Sequence, residues 1–184
     1  KDDFGILHVD AHHDLREAYE GFTYSHASIF YNVLNECKNV SKLIQVGIRD
    51  YSKEEAQRMI NLGDKGDCLY DTAMQAQIAT GKSLEEVFTP YIEQLPKNVY
   101  ISIDIDGLEP LNCPNTGTPV PGGLRYGELE HLIFMVVKSG RKIIGFDLVE
   151  VGDSKNGWDA NVGARVLYNL CGALLASQGK IEYR

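Results

Sequence analysis

The chain has 184 residues, with 26 Asp and Glu against 18 Lys and Arg, a formal net charge of −8. With 43% hydrophobic residues it can bury the core of a full-sized domain, which excludes a disordered chain. The acid excess excludes nucleic acid and an anionic membrane surface as main partners, since both need clustered Lys and Arg.

The longest apolar run, Leu132 to Val137, falls far short of the ~20 residues a bilayer span needs, and no signal peptide is visible. Cys37, Cys68, Cys113 and Cys171 form no C-x-x-C pair, so free thiols in a reducing cytoplasm are expected. The chain opens on Lys1 and is expected to be part of a longer polypeptide.

In chain order, Phe4 to Val9 reads as a strand. Ser25 to Glu36 reads as a helix, with Ser25 a candidate N-cap and Ile29, Phe30, Val33 and Leu34 on one face. Lys42 to Ile48 is a second strand, and Ser52 to Leu62 a helix stopped by Gly63. A short strand over Asp67 to Tyr70 leads into a short helix, Asp71 to Thr80. Ser83-Leu84-Glu85-Glu86 is a capping box opening a helix that ends before Pro96. Val99 to Ile105 is a buried strand, and the Gly-, Pro- and Asn-rich stretch from Gly107 to Gly123 is a functional loop. Tyr126 to Lys138 is a helix, Lys142 to Val149 a strand, and Asp159 to Ser177 a final helix. Strands alternating with helices predict one α/β domain, residues 1–184, with a mainly parallel sheet.

Three of the strands run into acid. The first meets Asp10-Ala11-His12-His13-Asp14, the fourth Asp104-Ile105-Asp106, and the fifth carries Asp147 with Glu150 just beyond it. In open parallel sheets, ligands sit outside the carboxyl ends of the strands, so these groups are expected on one rim. Alternation along an extended segment would aim Asp10, His12 and Asp14 at one point, with Ala11 and His13 facing elsewhere. Carboxylates converging in this way repel unless cations bind. Oxygen donors with a minority of imidazole suit Mn²⁺ better than zinc. The spacing therefore predicts a two-metal site.

A D-x-D alone is ordinarily a turn or cap, and an Asp-rich loop alone a solvated surface. Two such groups, each closing a buried strand, point to metal. His8 reads as a structural residue inside the strand, His13 as a residue behind the ligands or on the surface, and His131 as a helix-surface residue.

At these residues the chain resembles the ureohydrolase family of arginases and agmatinases. The resemblance rests on His8-Val9-Asp10-Ala11-His12-His13-Asp14, Ser102 to Pro110, Gly117 to Leu124 and Gly145 to Val151. It implies a three-layer α/β/α fold, a binuclear Mn²⁺ centre and the ligands Asp10, His12, Asp14, Asp104 and Asp106. It further implies His26 as the catalytic proton shuttle, Glu150 as the residue gripping a guanidinium, and Asp147 as an orienting carboxylate. Arg16, in the Asp14-Leu15-Arg16-Glu17 segment, is a candidate substrate contact.

The family's Gly-Gly-Asp-His segment, with a further metal histidine, is absent, so the first βα units are expected upstream. Glu109 replaces the usual Asp, and Gly152-Asp153 the usual Asn-Pro. The agmatinase-like segment around Arg16 and His26 points to a small cationic guanidino substrate, agmatine first, then arginine or formiminoglutamate. By resemblance a homotrimer or hexamer is expected. A zinc deacylase and a metal-poor, non-catalytic relative are the competing readings.

Overall fold

The structure, a computed structural model, describes residues 3–153 and 155–182. Five strands form one all-parallel sheet: β1 (Phe4–Val9), β2 (Val40–Ile48), β3 (Gly66–Tyr70), β4 (Asn98–Asp104) and β5 (Lys142–Val149). Their spatial order is β3-β2-β1-β4-β5. The chain thus steps outward from β1 to β3, then returns to the other side of β1. The reversal falls between β1 and β4, the place where open α/β sheets bind ligands. The outer edge of β5 has no partner strand among the described residues.

Alternation along the strands feeds two cores. Leu7, Val9, Ile101 and Ile103 face one side, where α3 (Asp71–Ala79), α4 (Leu84–Ile92), α5 (Tyr126–Lys138) and α6 (Trp158–Ser177) bring Met74, Phe88, Val136 and Val166. Ile6 and Leu43 face the other side, under Phe30 of α1 (Ile29–Glu36) and Met59 of α2 (Lys53–Asn61). The result is the three-layer α/β/α architecture. Among the described residues no helix is long and apolar enough to cross a membrane, and all four cysteines are free.

Several bounds depart from the sequence expectation. The stretch from Ser25 opens as a 3-10 turn, His26–Ser28, before α1 begins. Tertiary ties explain the tightening: Arg16 N–H donates to Ala27 O at 3.0 Å and Phe30 N–H to Asp14 O at 3.1 Å. Ser25 makes no side-chain cap bond; its hydroxyl pairs with Ser28 at 2.8 Å. Ile29 is 47% exposed, so it lies off the buried face. β4 stops at Asp104, one residue early, because the Asp104 carboxylate accepts from Asp106 N–H at 2.9 Å and turns the chain. Ser52 and Glu55 form a capping box on α2.

Candidate metal centre

The site stands on the ends of β1 and β4. Gly107 permits their close approach, since a Cβ there would lie 2.8 Å from the Asp10 nitrogen. Asp106, 1% exposed, is thereby placed so that Oδ1 accepts from Ala11 N–H at 3.0 Å. Asp10 Oδ1 accepts from His12 N–H at 2.6 Å. His12 Nδ1 lies 3.3 Å from Asp10 Oδ1 and 3.2 Å from Asp106 Oδ2.

Donor atoms of Asp10, His12 and Asp106 fall within 4.8 Å of one another, as do those of His8, Asp10 and Asp14. Asp10 belongs to both groups. Asp14 reaches the site from a left-handed backbone, φ 53°, and not by simple strand alternation. Asp104 lines the same cavity, of about 430 Å³, with His12, Asp14 and Asp106.

The electrostatics show what the cluster lacks. Burial and the neighbouring Asp10 push the Asp14 carboxyl up to about 8. Burial, with Asp10 and Asp106 alongside, pushes Asp104 up to about 10. Burial works against a charged His12, yet hydrogen bonds to Asp10 and Asp106 raise it to about 10. Burial would raise Asp10 too, but His8 and His12 hold it well below the usual carboxylate range. The cluster thus keeps protons that solvent-exposed groups would release, the behaviour of crowded acids that want positive charge. Divalent cations fit that demand, and carboxylates with one imidazole fit Mn²⁺.

This charge arrangement sets a pH dependence. Asp14 and Asp104 keep protons in the folded state well above 3.8, and His12 above 6.5. The stability they give is fully present below those unfolded values and is lost as pH rises through about 8 to 10. The melting temperature of metal-stripped protein should therefore fall steadily between pH 5 and pH 9. Mn²⁺ should restore more of it at pH 9 than at pH 6, since bound metal displaces those protons. A flat or rising thermal profile for the stripped protein would contradict this account.

Beyond the carboxylates, the cavity is lined by His26, Glu150 and Arg16. The His26 ring meets Tyr19 edge-on at 5.5 Å and is otherwise exposed. Arg16 lies over the same Tyr19, 5.1 Å from its centroid, with Nε 3.6 Å from the buried Glu55. Glu150 takes a left-handed backbone, φ 58°, unusual for a residue with a side chain. A clamp holds it there: Thr116 Oγ1 donates to Glu150 O at 2.8 Å, and Asn115 donates twice to the buried Asp159, each time at 2.9 Å. Gly152 makes the clamp feasible, because a Cβ there would lie 1.9 Å from the Asn115 carbonyl oxygen. The Gly in place of the family's usual Asn is thus matched by a loop that closes directly onto it.

Asp147 is not brought into the cavity. It lies two residues before the end of β5, where Oδ1 accepts from Ser102 Oγ at 2.8 Å. His13 is fully buried and not at the surface; its Nδ1 lies 2.6 Å from Gln45 Oε1. His131 on α5 sits 3.2 Å from Glu85, remote from the acids. Glu109 lies outside the cavity and holds the loop through its N–H, which donates to Leu124 O at 2.9 Å.

Local sequence reading missed Thr118, whose hydroxyl donates to Asp106 Oδ2 at 3.2 Å, and Asp50, whose carboxylate stands 3.9 Å from His12 Nε2. Asp50 follows the end of β2 much as Asp10 follows β1, and that placement was the available signal.

Comparison with known proteins agrees with this geometry. The profile of the Arginase family matches residues 1–172. An N(1)-aminopropylagmatine ureohydrolase of Thermus thermophilus is 35% identical over 92% of this chain and 54% of its own length. An agmatinase of Halalkalibacterium halodurans is 37% identical over 81% of this chain and 47% of its own. The crystal structure of agmatine ureohydrolase of Thermoplasma volcanium superposes with a TM-score of 0.75 at 28% identity, over 97% of this chain and 56% of that one. The chain thus spans about half the length of the curated relatives it matches. With the parallel sheet, the acids at its switch point and a profile match over most of its length, the chain belongs to the arginase family.

Proposed function

We propose that the protein containing this chain is a Mn²⁺-dependent ureohydrolase that cleaves a guanidino C–N bond to release urea, with agmatine as substrate and putrescine as the second product. The observation that carries the reading is one cavity lined by Asp14, Asp104, Asp106 and His12 together with Glu150 and His26. Asp10, His12, Asp14, Asp104 and Asp106 would hold two ions. When bound, such a pair supplies a water acidic enough to act as nucleophile at neutral pH.

The chain's own residues do the rest. Glu150 accepts paired hydrogen bonds from a guanidinium and fixes its carbon in place, which converts binding into orientation. The Thr116 clamp fixes the Glu150 backbone, and so the point on the cavity wall from which the carboxylate reaches a planar guanidinium. His26, exposed at the cavity wall, moves a proton between solvent and the departing amine.

Charge around the opening favours a cationic tail. Asp50 stands there exposed, whereas the positive charge of Arg16 is already engaged by the buried Glu55. A substrate ending in a carboxylate, such as arginine or formiminoglutamate, meets more repulsion than one ending in an amine.

The Gly-Gly-Asp-His segment that carries the family's further ligand histidine has no counterpart in this sequence; His13 and His131 are engaged elsewhere, and His8 is bonded to Asp10. We place it, with additional βα units, in polypeptide outside this chain. Assembly as a homotrimer or hexamer is part of the same proposal.

The test is urea release by the Mn²⁺-loaded full-length protein with agmatine, N(1)-aminopropylagmatine, arginine, guanidinobutyrate and formiminoglutamate compared side by side. The kcat/KM for agmatine should exceed that for arginine by at least about tenfold, a difference of about 1.4 kcal/mol. A preference for arginine would overturn the substrate assignment.

A further inference from the structure

A buried polar chain lies behind the acids. Register pairs His8 of β1 with Gln45 of β2 on one side and with Ser102 of β4 on the other. Gln45 is fully buried and makes three contacts. Its Nε2 is 2.8 Å from the His13 carbonyl oxygen and 2.8 Å from His8 Nδ1; its Oε1 is 2.6 Å from His13 Nδ1. His8 Nε2 in turn lies 2.8 Å from Asp10 Oδ2, and Tyr70 OH lies 3.3 Å from His13 Nε2.

Hydrogen-bond chemistry gives every link one direction. A backbone carbonyl only accepts, so the Gln45 atom facing His13 O is the amide nitrogen. The second hydrogen of that nitrogen points at His8 Nδ1, which must therefore be bare. The His8 proton then sits on Nε2 and is donated to Asp10 Oδ2. On the other branch, Gln45 Oε1 accepts from His13 Nδ1–H. This leaves His13 Nε2 bare to accept from the Tyr70 hydroxyl. Phe30 packs against the His8 ring, with centroids 4.1 Å apart and planes tilted by 44°.

We propose that Gln45 is a positioning residue for the metal centre: by fixing the His8 tautomer it makes His8 a donor to Asp10 and aims that carboxylate, shared by both donor groups, at the cations. His8 is then no ligand through Nε2, although it falls within reach of Asp10 and Asp14. A ligand carboxylate held from behind by an N–H is oriented before metal arrives, and losing such a partner costs about 10–100-fold in metal affinity. The inference rests on the metal reading above, but its core, the direction of the hydrogen bonds, does not.

The experiment has two arms on the full-length protein. In metal-free wild type, long-range ¹H–¹⁵N correlation spectra should show His8 protonated at Nε2 and bare at Nδ1, and His13 the reverse. A proton on His8 Nδ1 would overturn the proposal whatever the variants do. In the second arm, Mn²⁺ binding is titrated for wild type, Gln45→Met, His8→Phe and the double variant.

Gln45→Met keeps the length but removes the donor, so nothing holds the His8 proton on Nε2 and the Nδ1–H form can present a lone pair to Asp10. Each single change should weaken Mn²⁺ about 10–100-fold. The double should be no weaker than the weaker single, because both act on one bond. Additive losses, or a folded Gln45→Met protein that binds Mn²⁺ within twofold of wild type, would refute the assignment. Wild type that fails to bind Mn²⁺ while showing the expected tautomers would sink the metal reading and leave the hydrogen-bond relay standing.

Discussion

Replacing Asp106 by Asn should abolish metal binding and urea production together while leaving the metal-free fold intact. Asp106 uses both carboxylate oxygens: Oδ1 accepts from Ala11 N–H, and Oδ2 faces His12 Nδ1 and the Thr118 hydroxyl. Asn supplies one oxygen and one NH₂. If the NH₂ turns toward Ala11, two donors face each other in a buried place and the loop is pushed away. If it turns toward His12, the oxygen facing the cavity is gone. Either orientation removes one function, so Mn²⁺ affinity should fall by more than about 100-fold, beyond the loss seen when only an outer partner is removed. The metal-free protein should still fold and melt cooperatively, because the lost acceptor contact is offset in part by one fewer repelling acid beside Asp104. That combination separates a lost ligand from a broken fold. Metal analysis and a urea assay on the Mn²⁺-loaded variant decide the matter; urea formation at a wild-type rate would remove Asp106 from the ligand set.

The elements written most clearly in the sequence are those whose ends are set locally. α5 over Tyr126–Lys138 and β5 over Lys142–Val149 match expectation residue for residue. Ser139-Gly140 separates them, and each has an apolar pattern of one period. The α4 capping box at Ser83 and Glu86 forms as its spacing predicts. Where distant residues intervene, local patterning fails. The turn ahead of α1 is 3-10 because it is tied to the segment after β1, and no window around Ser25 contains that tie. The Ser52-x-x-Glu55 box was in the sequence, but not its second use: Glu55 Oε1 also accepts from Leu15 N–H at 3.2 Å, which joins α2 to the ligand segment.

The site divides along the same line. Strand ends followed by acids put Asp10, Asp104 and Asp106 on one rim, since a parallel sheet points all its carboxyl ends one way. What lies behind them depends on register. Gln45, His8, Ser102 and Asp147 form a polar row across four strands, and only pairing of β2, β1, β4 and β5 makes them neighbours. Asp147 reads from sequence as a carboxylate orienting the chemistry; its place in that row, bonded to Ser102, puts it behind the cavity wall. Glu150 could be picked out only through family resemblance. A glutamate after a strand is an ordinary surface residue until the left-handed backbone and the Thr116 clamp are seen.

His26→Ala should lower turnover by about 10²–10⁴-fold with metal content unchanged, the range for losing a positioned acid–base group. His26 lines the cavity but belongs to neither donor group, so its loss leaves the ligands untouched. Its ring is exposed and touches Tyr19 alone among the described ring contacts, so stability should move by less than about 0.5 kcal/mol, the ordinary scale for a surface change. Proton transfer matters most when the amine leaves, so the defect should appear in kcat, with KM for the guanidino substrate close to wild type. The assay is urea release with metal quantified on the same sample. Loss of Mn²⁺ would make His26 a ligand, and unchanged turnover would leave the departing amine without its proposed proton carrier.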